Sequence, residues 1–282
     1  MSDDAFEDVF EEVARLRREG RKAALATIVE IRGSVPSFET AKMLVREDGS
    51  TLGSVGGGCV EAEVWAAAQD AIREEKSRLL SFDLTDDESV ADTGLICGGK
   101  LDIYIEPVLP VPCAVIFGAG HISTHVSRVA RVAGFRTWIV DDRAIYANET
   151  RFPEAERIFS ESFADAFARI RPDPNTYLVI VTRGHNQDED VLRWAVGTDA
   201  RYIGMIGSKR KVHTIFRKLE AEGVARDRLD AVHAPVGLDI GAVVPEEIAV
   251  AIVAEMIHER RRGGAHASSK KIHQVRRKQP AD

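Results

Sequence analysis

One segment, Cys113-Ala-Val-Ile-Phe-Gly-Ala-Gly-His-Ile-Ser123, constrains the fold more than any other: an apolar run ends in two closely spaced glycines and opens into a helical pattern. Gly118 and Gly120 permit a tight strand-to-helix turn. A phosphate can approach such a turn closely, beside the unpaired N–H groups and dipole of a helix start. Ser123 stands in the third glycine's place. Further short apolar runs at 137–140, 178–181 and 202–206 alternate with helical stretches near 121–133, 188–196 and 209–222. Strand alternating with helix predicts a parallel sheet covered on both faces, a Rossmann-like domain over residues 110–262.

The pattern upstream is different. Phe6, Val9, Phe10, Val13 and Leu16 recur at helical spacing, with Gly20 as a stop. Extended segments follow at 23–31, 41–46 and 51–54, the last two joined by a Glu47-Asp48-Gly49 turn. A helix is expected over 60–77. At 100–106, Leu101, Ile103 and Ile105 alternate with Asp102, Tyr104 and Glu106, which reads as a strand with one buried face. The run Pro107-Val-Leu-Pro-Val-Pro112 is stiff and marks a boundary. The expected fold class is therefore α/β, with an N-terminal α+β domain (1–109) followed by the Rossmann-like parallel-sheet domain and a basic flexible tail (263–282).

A formal net charge of −7 over 282 residues lacks the basic footprint of a nucleic-acid binder, although the tail is rich in Arg and Lys. No apolar run is long enough for a membrane span. The acidic start carries no secretory signal pattern, so the expected location is cytoplasmic. Cys59, Cys97 and Cys113 are odd in number and form no CxxC, so thiols are expected rather than a disulfide framework.

Candidate site residues cluster at the ends of apolar runs. Asp141 lies where a Rossmann domain places its ribose-binding acid. Thr182-Arg183-Gly184-His185 follows another strand. His185 is open between a helix-capping role and a ligand contact. Ser208-Lys209-Arg210 opens a helix with positive charge, which suits a phosphate, or serves simply as a solvated helix start. A second glycine-rich turn, Gly53-Ser-Val-Gly56-Gly57-Gly58-Cys59, has backbone able to wrap an anion. It would place Cys59 in a helix's first turn, which favours a thiolate able to ligate a soft metal or carry sulfur; a small packed residue is the alternative. Strong reactivity would need further positive charge, for which Arg32 is the candidate. Cys97 is also flanked by glycine, whereas Cys113 begins a core strand. HExxH and GxSxG motifs are absent.

The joint occurrence of these motifs carries a resemblance. Glu30-Ile-Arg-Gly-Ser-Val-Pro36, Gly53-Ser-Val-Gly-Gly-Gly-Cys-Val-Glu61 and Cys97-Gly-Gly99 are similar to the N-terminal domain of XdhC/CoxI proteins, accessory factors of molybdenum hydroxylases. The second half resembles their Rossmann domain through Gly118-Ala-Gly-His121, Asp141-Asp-Arg143, Thr182-Arg-Gly-His185, Gly204-Met-Ile-Gly-Ser-Lys-Arg210, Pro235-Val-Gly-Leu-Asp-Ile-Gly241 and Pro245-Glu-Glu-Ile248. The resemblance implies a chaperone without turnover of its own. It would bind molybdenum cofactor, as molybdopterin or its cytosine dinucleotide form, and shelter it while a cysteine desulfurase installs sulfur. Delivery would be to a xanthine dehydrogenase-type apoenzyme. Cys59 would face the metal only through that cofactor. An NAD(P)-dependent oxidoreductase is the alternative, although His121 after the second glycine would intrude on a dinucleotide. The client, the form of the cofactor and the oligomeric state, homo-oligomer included, stay open. Because neither half alone offers both thiol and phosphate-binding groups, the two halves of the chain are expected to face each other across the ligand.

Overall fold

The computed structural model describes residues 8–35, 37–84 and 98–261, so Cys97 and the tail 263–282 lie outside the described residues. The chain is α/β, with two five-stranded sheets of opposite kinds. Helix α1 (Val9–Glu19) starts at Asp8, whose carboxylate accepts from the N–H groups of Phe10 and Glu11, and stops at left-handed Gly20. Strands β1 (Ala23–Ser34), β2 (Lys42–Arg46) and β3 (Thr51–Gly53) precede α2 (Gly58–Glu74), β4 (Arg78–Asp83) and β5 (Gly98–Val108). They form an antiparallel sheet in the order β3-β2-β1-β5-β4.

The alternation in β5 does what period-2 patterning dictates. Leu101, Ile103 and Ile105 are buried, together with Ala24, Ala26 and Ile28 of β1, beneath Val64, Ala68 and Ile72 of α2. The opposite face is covered in part by α1, through Leu16 against Leu25, Leu44 and Val108. Pro107 does not end the ladder: β5 continues to Val108, with Pro107 opposite Ala24. The reason is local. β4 pairs with β5 only as far as Ile105, so Pro107 has a strand on one side alone and its missing N–H is tolerated.

The second half runs β6 (Cys113–Phe117), α3 (His121–Val132), β7 (Arg136–Val140), β8 (Arg157–Phe159), α4 (Phe163–Arg169), β9 (Thr176–Ile180), α5 (His185–Ala195), β10 (Tyr202–Met205), α6 (Lys209–Ala221), α7 (Arg226–Asp230) and α8 (Pro245–Arg261). Its strands are parallel in the order β10-β9-β6-β7-β8. This is the Rossmann order 3-2-1-4-5 read from the other edge. From β6 the chain winds outward through β7 and β8, then returns to lay β9 on the other side of β6. The crevice at the C-terminal ends of β6 and β9 is thus the switch point where such sheets bind ligands.

β6 is buried on both faces. Val115 and Phe117 face the helices α4, α5 and α6, and Ala114 and Ile116 face α3 and α8. At the strand's end Phe117 meets Phe163, Phe167 and Trp194, with ring centroids 6.0, 6.0 and 5.6 Å away. This aromatic anchor fixes the strand end that carries the glycine turn. A last extended segment, 233–236, pairs beside β10 through Met205 N–H to His233 O and Val236 N–H to Met205 O. It carries the chain past the C-terminal edge of the sheet before α8 returns along α3.

Candidate functional site

At the switch point Gly118 has φ +104°, and a Cβ there would stand 2.4 Å from the carbonyl oxygen of Val181. Only glycine lets the first turn lie against the end of β9. Gly120 is the N-cap of α3 and Gly184 that of α5, and neither helix start receives a side-chain cap. Two helix N-termini therefore flank one crevice, and the first turn of α3 contains no acid. His121 and His185 are the exposed first residues of these helices. His185 does not cap α5, which leaves its imidazole facing outward. Ser123 is fully buried, with no hydrogen-bond partner for its Oγ. It serves the helix–sheet contact rather than the crevice.

The acid at the end of β7 departs from expectation. Asp141 is buried, and its carboxylate accepts from Ala119 N (2.8 Å), Arg143 N (3.0 Å) and Arg143 Nε and Nη2 (both 2.9 Å). Burial raises its pKa, but the Arg143 guanidinium and these N–H groups prevail and hold it below the usual carboxylate range. Asp141 therefore does not stand free as a ribose acceptor: it braces the glycine turn instead. The signal was present in the Asp141-Asp142-Arg143 triplet, whose arginine folds back on the acid two residues earlier.

Arginines gather around this brace. Arg143 lies over the Tyr146 ring at 4.1 Å, and Arg151 donates to Ala119 O at 3.2 Å. Arg183 is half-exposed and pairs with Asp142 at 2.9 Å. Arg151 had no local sequence signal, because it enters from a loop between β7 and β8. Behind the rim, fully buried Asp188 accepts from the Thr182 hydroxyl (2.6 Å) and N–H (3.2 Å) and pairs with Lys211. That link ties the Thr182–Gly184 turn to the start of α6. Ser208 caps α6 through Lys211 N, while Lys209 and Arg210 are exposed and no acid occupies the first turn. The structure thus brings together Gly118, Gly120, His121, Asp141, Arg183, His185, Ser208, Lys209 and Arg210 at the C-terminal edge of the parallel sheet.

Gly56, Gly57, Gly58 and Cys59 are elsewhere. All three glycines have positive φ, and Cys59 is exposed in the first turn of α2. The anion-accepting backbone of this turn already has an occupant. Glu61 accepts from the Ser54 hydroxyl (2.5 Å) and from Val55 N (3.2 Å). The Ser54 hydroxyl, then the N–H groups of Val55, Gly57 and Gly56, outweigh its partial burial and lower its pKa. Arg32 pairs with Glu30 through both its Nε and Nη2, at 2.7 Å each, so its charge is engaged there rather than with Cys59. Cys113 is buried in β6, and desolvation pushes its thiol up to about 12.

The halves meet at the other end of the parallel sheet. Arg201, just before β10, makes a two-pronged pair with Glu75 at the end of α2, which also binds Lys22 at 3.0 Å. Arg17 of α1 donates to Leu109 O, and Gly20 lies beside Asp173 ahead of β9. The N-terminal half therefore docks on the N-terminal edge of the Rossmann sheet. α2 spans roughly 25 Å between that junction and Cys59, and the parallel strands span about 15 Å between it and Gly118. The halves thus meet at the edge of the parallel sheet opposite the crevice, rather than across it as expected. Among the described residues no group of three or more His, Cys, Asp or Glu is placed to hold a metal, and no helix is long and apolar enough to cross a membrane.

Comparison with known proteins agrees with this architecture. Residues 16–83 match the family model "XdhC and CoxI family", and residues 114–256 match "XdhC Rossmann domain". The chain is 34% identical over 251 residues to the uncharacterized protein YqeB of Escherichia coli K12; the match covers 89% of this chain but only 46% of that relative. It is 26% identical over 267 residues to the molybdenum cofactor insertion chaperone PaoD of the same organism, covering 84% of this chain and 83% of PaoD. Among solved structures it is similar to a Bacillus halodurans protein described as a xanthine dehydrogenase, with 25% identity, a TM-score of 0.51 and coverage of 92% and 97%. The two matched domains, in this order and with their glycine turns and docked sheets in place, show that the chain belongs to the XdhC and CoxI family.

Proposed function

We propose that this protein is a molybdenum cofactor-binding insertion chaperone that acts in the cytoplasm, sheltering the cofactor while a cysteine desulfurase installs sulfur and delivering it to a xanthine dehydrogenase-type molybdenum hydroxylase. One observation supports the ligand class most directly. The crevice offers two helix starts without side-chain caps and a basic rim, while the acid that would read a ribose is spent on Arg143 and Ala119. Such a site favours a phosphate group over a nucleoside diol. The residues fit a phosphorylated pterin: backbone at Gly118–Gly120 and Gly184 would take the phosphate, with Arg183, Lys209 and Arg210 neutralising it. His121 and His185 would wall the crevice. Bound there, the cofactor would supply the redox-active metal centre of the client enzyme. This chain's own task would be to hold the phosphate end and screen the ligand from water. A soft thiol at Cys59, with Cys97 as the second candidate, suits contact with molybdenum or transient carriage of sulfur.

The test is purification of the full chain from a host that makes the cofactor. Molybdenum and a fluorescent oxidised pterin should copurify in near-equal amounts. Copurification of a nicotinamide dinucleotide in their place would instead favour an oxidoreductase.

A further inference from the structure

We infer that residues 239–244 form a strap that closes over the switch-point crevice and recognises the ring of its ligand. Ile240 and Val243 would cover the ring face, and Asp239 would accept from N–H donors at the ring edge. The inference rests on the proposed cofactor site and deepens it by assigning the part of the chain that reads the ring rather than the phosphate.

The place of the strap follows from what holds its ends. Gly237 N–H donates to the Glu255 carboxylate at 2.9 Å and Leu238 N–H to Ala251 O at 3.2 Å. Glu255 is itself fixed by the Tyr202 hydroxyl (2.6 Å) and His233 (3.3 Å). At the other end Val243 and Val244 N–H donate to Glu247 at 2.8 and 3.3 Å. Both anchors are on α8, whose start lies beside α3 at the rim, with Glu246 3.4 Å from His125. Between the anchors the chain is loosely held. Ile240 N–H reaches Leu238 O at 2.9 Å, and among the described residues the N–H groups of Asp239, Gly241 and Ala242 find no partner. Gly241 bends at φ +76° with nothing within 4 Å of an added Cβ, so glycine there answers the shape of the backbone and not packing. A span tied at both ends and free in the middle moves without disturbing the core.

The crevice has two unlike walls. α3, α8 and Val236 pack on one face of the parallel sheet, α5 and α6 on the other. The strap therefore borders the crevice across from the starts of α5 and α6, where Arg183, Lys209 and Arg210 lie. On the strap side Ile240, Val243 and Val244 are 54%, 79% and 45% exposed, and α8 opens with Glu246 and Glu247. Acids and open aliphatic groups disfavour a phosphate but suit an uncharged ring, and a cluster of exposed aliphatic side chains beside a polar crevice marks a binding surface. Asp239 is exposed and has no hydrogen bond or ion pair among the described residues. A carboxylate accepts from two adjacent N–H donors, which a pterin presents at its amino-amide edge. Closure would also exclude water and so strengthen the polar contacts beneath.

Hydrogen exchange of the full chain from a cofactor-producing host, compared with the same chain from a host unable to make the cofactor, tests the closure. The amides of Asp239, Gly241 and Ala242 should exchange about tenfold more slowly in the loaded chain. Inorganic pyrophosphate, which has no ring, should leave them unchanged. Ile240→Asp with Val243→Asp, and separately Asp239→Ala, should each lower the retained molybdenum and pterin about tenfold. Their melting temperatures should stay parental, because all three side chains are exposed. Ile240→Leu with Val243→Ile should retain the parental amount. Parental retention in the aspartate pair or slowing by pyrophosphate would each overturn the proposal. So would slowing that appears only when a client apoenzyme is added, or that rises with the concentration of ligand-free chain, since the apolar patch would then be a contact with another protein or a second copy. Molybdenum retained with exchange at 239–242 unchanged would sink the strap and leave the cofactor reading standing. If neither molybdenum nor pterin is held but NAD+ slows the same amides, the cofactor reading fails and the closing strap stands over a different ring. If neither ligand slows them, both fall.

Discussion

Asp141 and Arg183 sit on the same rim yet should fail in different ways when removed. Asp141 is buried, holds the Ala119 N–H and neutralises a guanidinium that is itself only about a quarter exposed. Taking away one partner of such a pair leaves an uncompensated charge, a loss of roughly 3–5 kcal/mol for a fully buried pair. Because Arg143 reaches solvent in part, we expect Asp141→Ala to lower stability by about 2 kcal/mol, read by urea unfolding, with loss of ligand following from a collapsed turn. Arg183 is half-exposed and pairs with Asp142. Arg183→Ala should leave the unfolding midpoint unchanged and weaken cofactor retention at least several-fold. If Arg183→Ala unfolded the protein, or Asp141→Ala lost ligand with no loss of stability, the division between brace and contact would be wrong. The position of Asp141 was legible from its spacing after Gly118, but its pairing was not. Spacing places a Cα, whereas the neighbour that claims a carboxylate depends on how Arg143 folds back.

The glycine turn divides in the same way at the level of elements. Gly118 joins β6 to the end of β9 at a φ closed to other residues, and its missing Cβ would strike the Val181 carbonyl. Gly120, by contrast, has φ −77° and nothing within 4 Å of an added Cβ. Gly118→Ala should therefore destabilise the domain severely, in the range of about 3 kcal/mol or more for combined strain and clash. Gly120→Ala should fold with an unaltered melting temperature and lose ligand, because its methyl group occupies space that only a ligand would use. Equal stability losses in the two variants would remove the argument that the crevice floor lies at Gly120. The elements around this turn were readable wherever the apolar contrast was strong, as in β6, β7, β9, β10, α3 and α6. Those missed share a weak contrast. In β4 Leu79 is largely exposed and only three turns of alternation are available. α8 buries Ala249, Ala251, Ile252, Val253 and Met256, and so has no sharply polar face to reveal its period.

For the whole molecule, the decisive contact is one that no motif announced. Glu75 closes α2 in a left-handed conformation, nearly buried between Arg201 and Lys22, and through it the N-terminal half is tied to the base of the parallel sheet. Burial raises its pKa, but the opposing charges of Arg201 and Lys22 and their hydrogen bonds win, so the folded carboxyl titrates below its ordinary value of 4.5. The sign follows directly. A depressed carboxylate stabilises the folded state fully above its unfolded pKa, and that contribution is lost as pH falls from there through the folded value. Glu75→Gln should flatten the acid side of the stability profile below about pH 5, with little of that change attributable to surface pairs, which are worth under about 1 kcal/mol each. Glu75→Ala should go further, because Arg201 then loses its carboxylate and keeps only neutral partners, the Pro174 carbonyl and Tyr177. We expect the single calorimetric transition of the parent to split in two, the N-terminal half melting first, since separate cores in the two sheets are joined by few other polar ties. One transition at the parental temperature would show that this buried pair orients nothing.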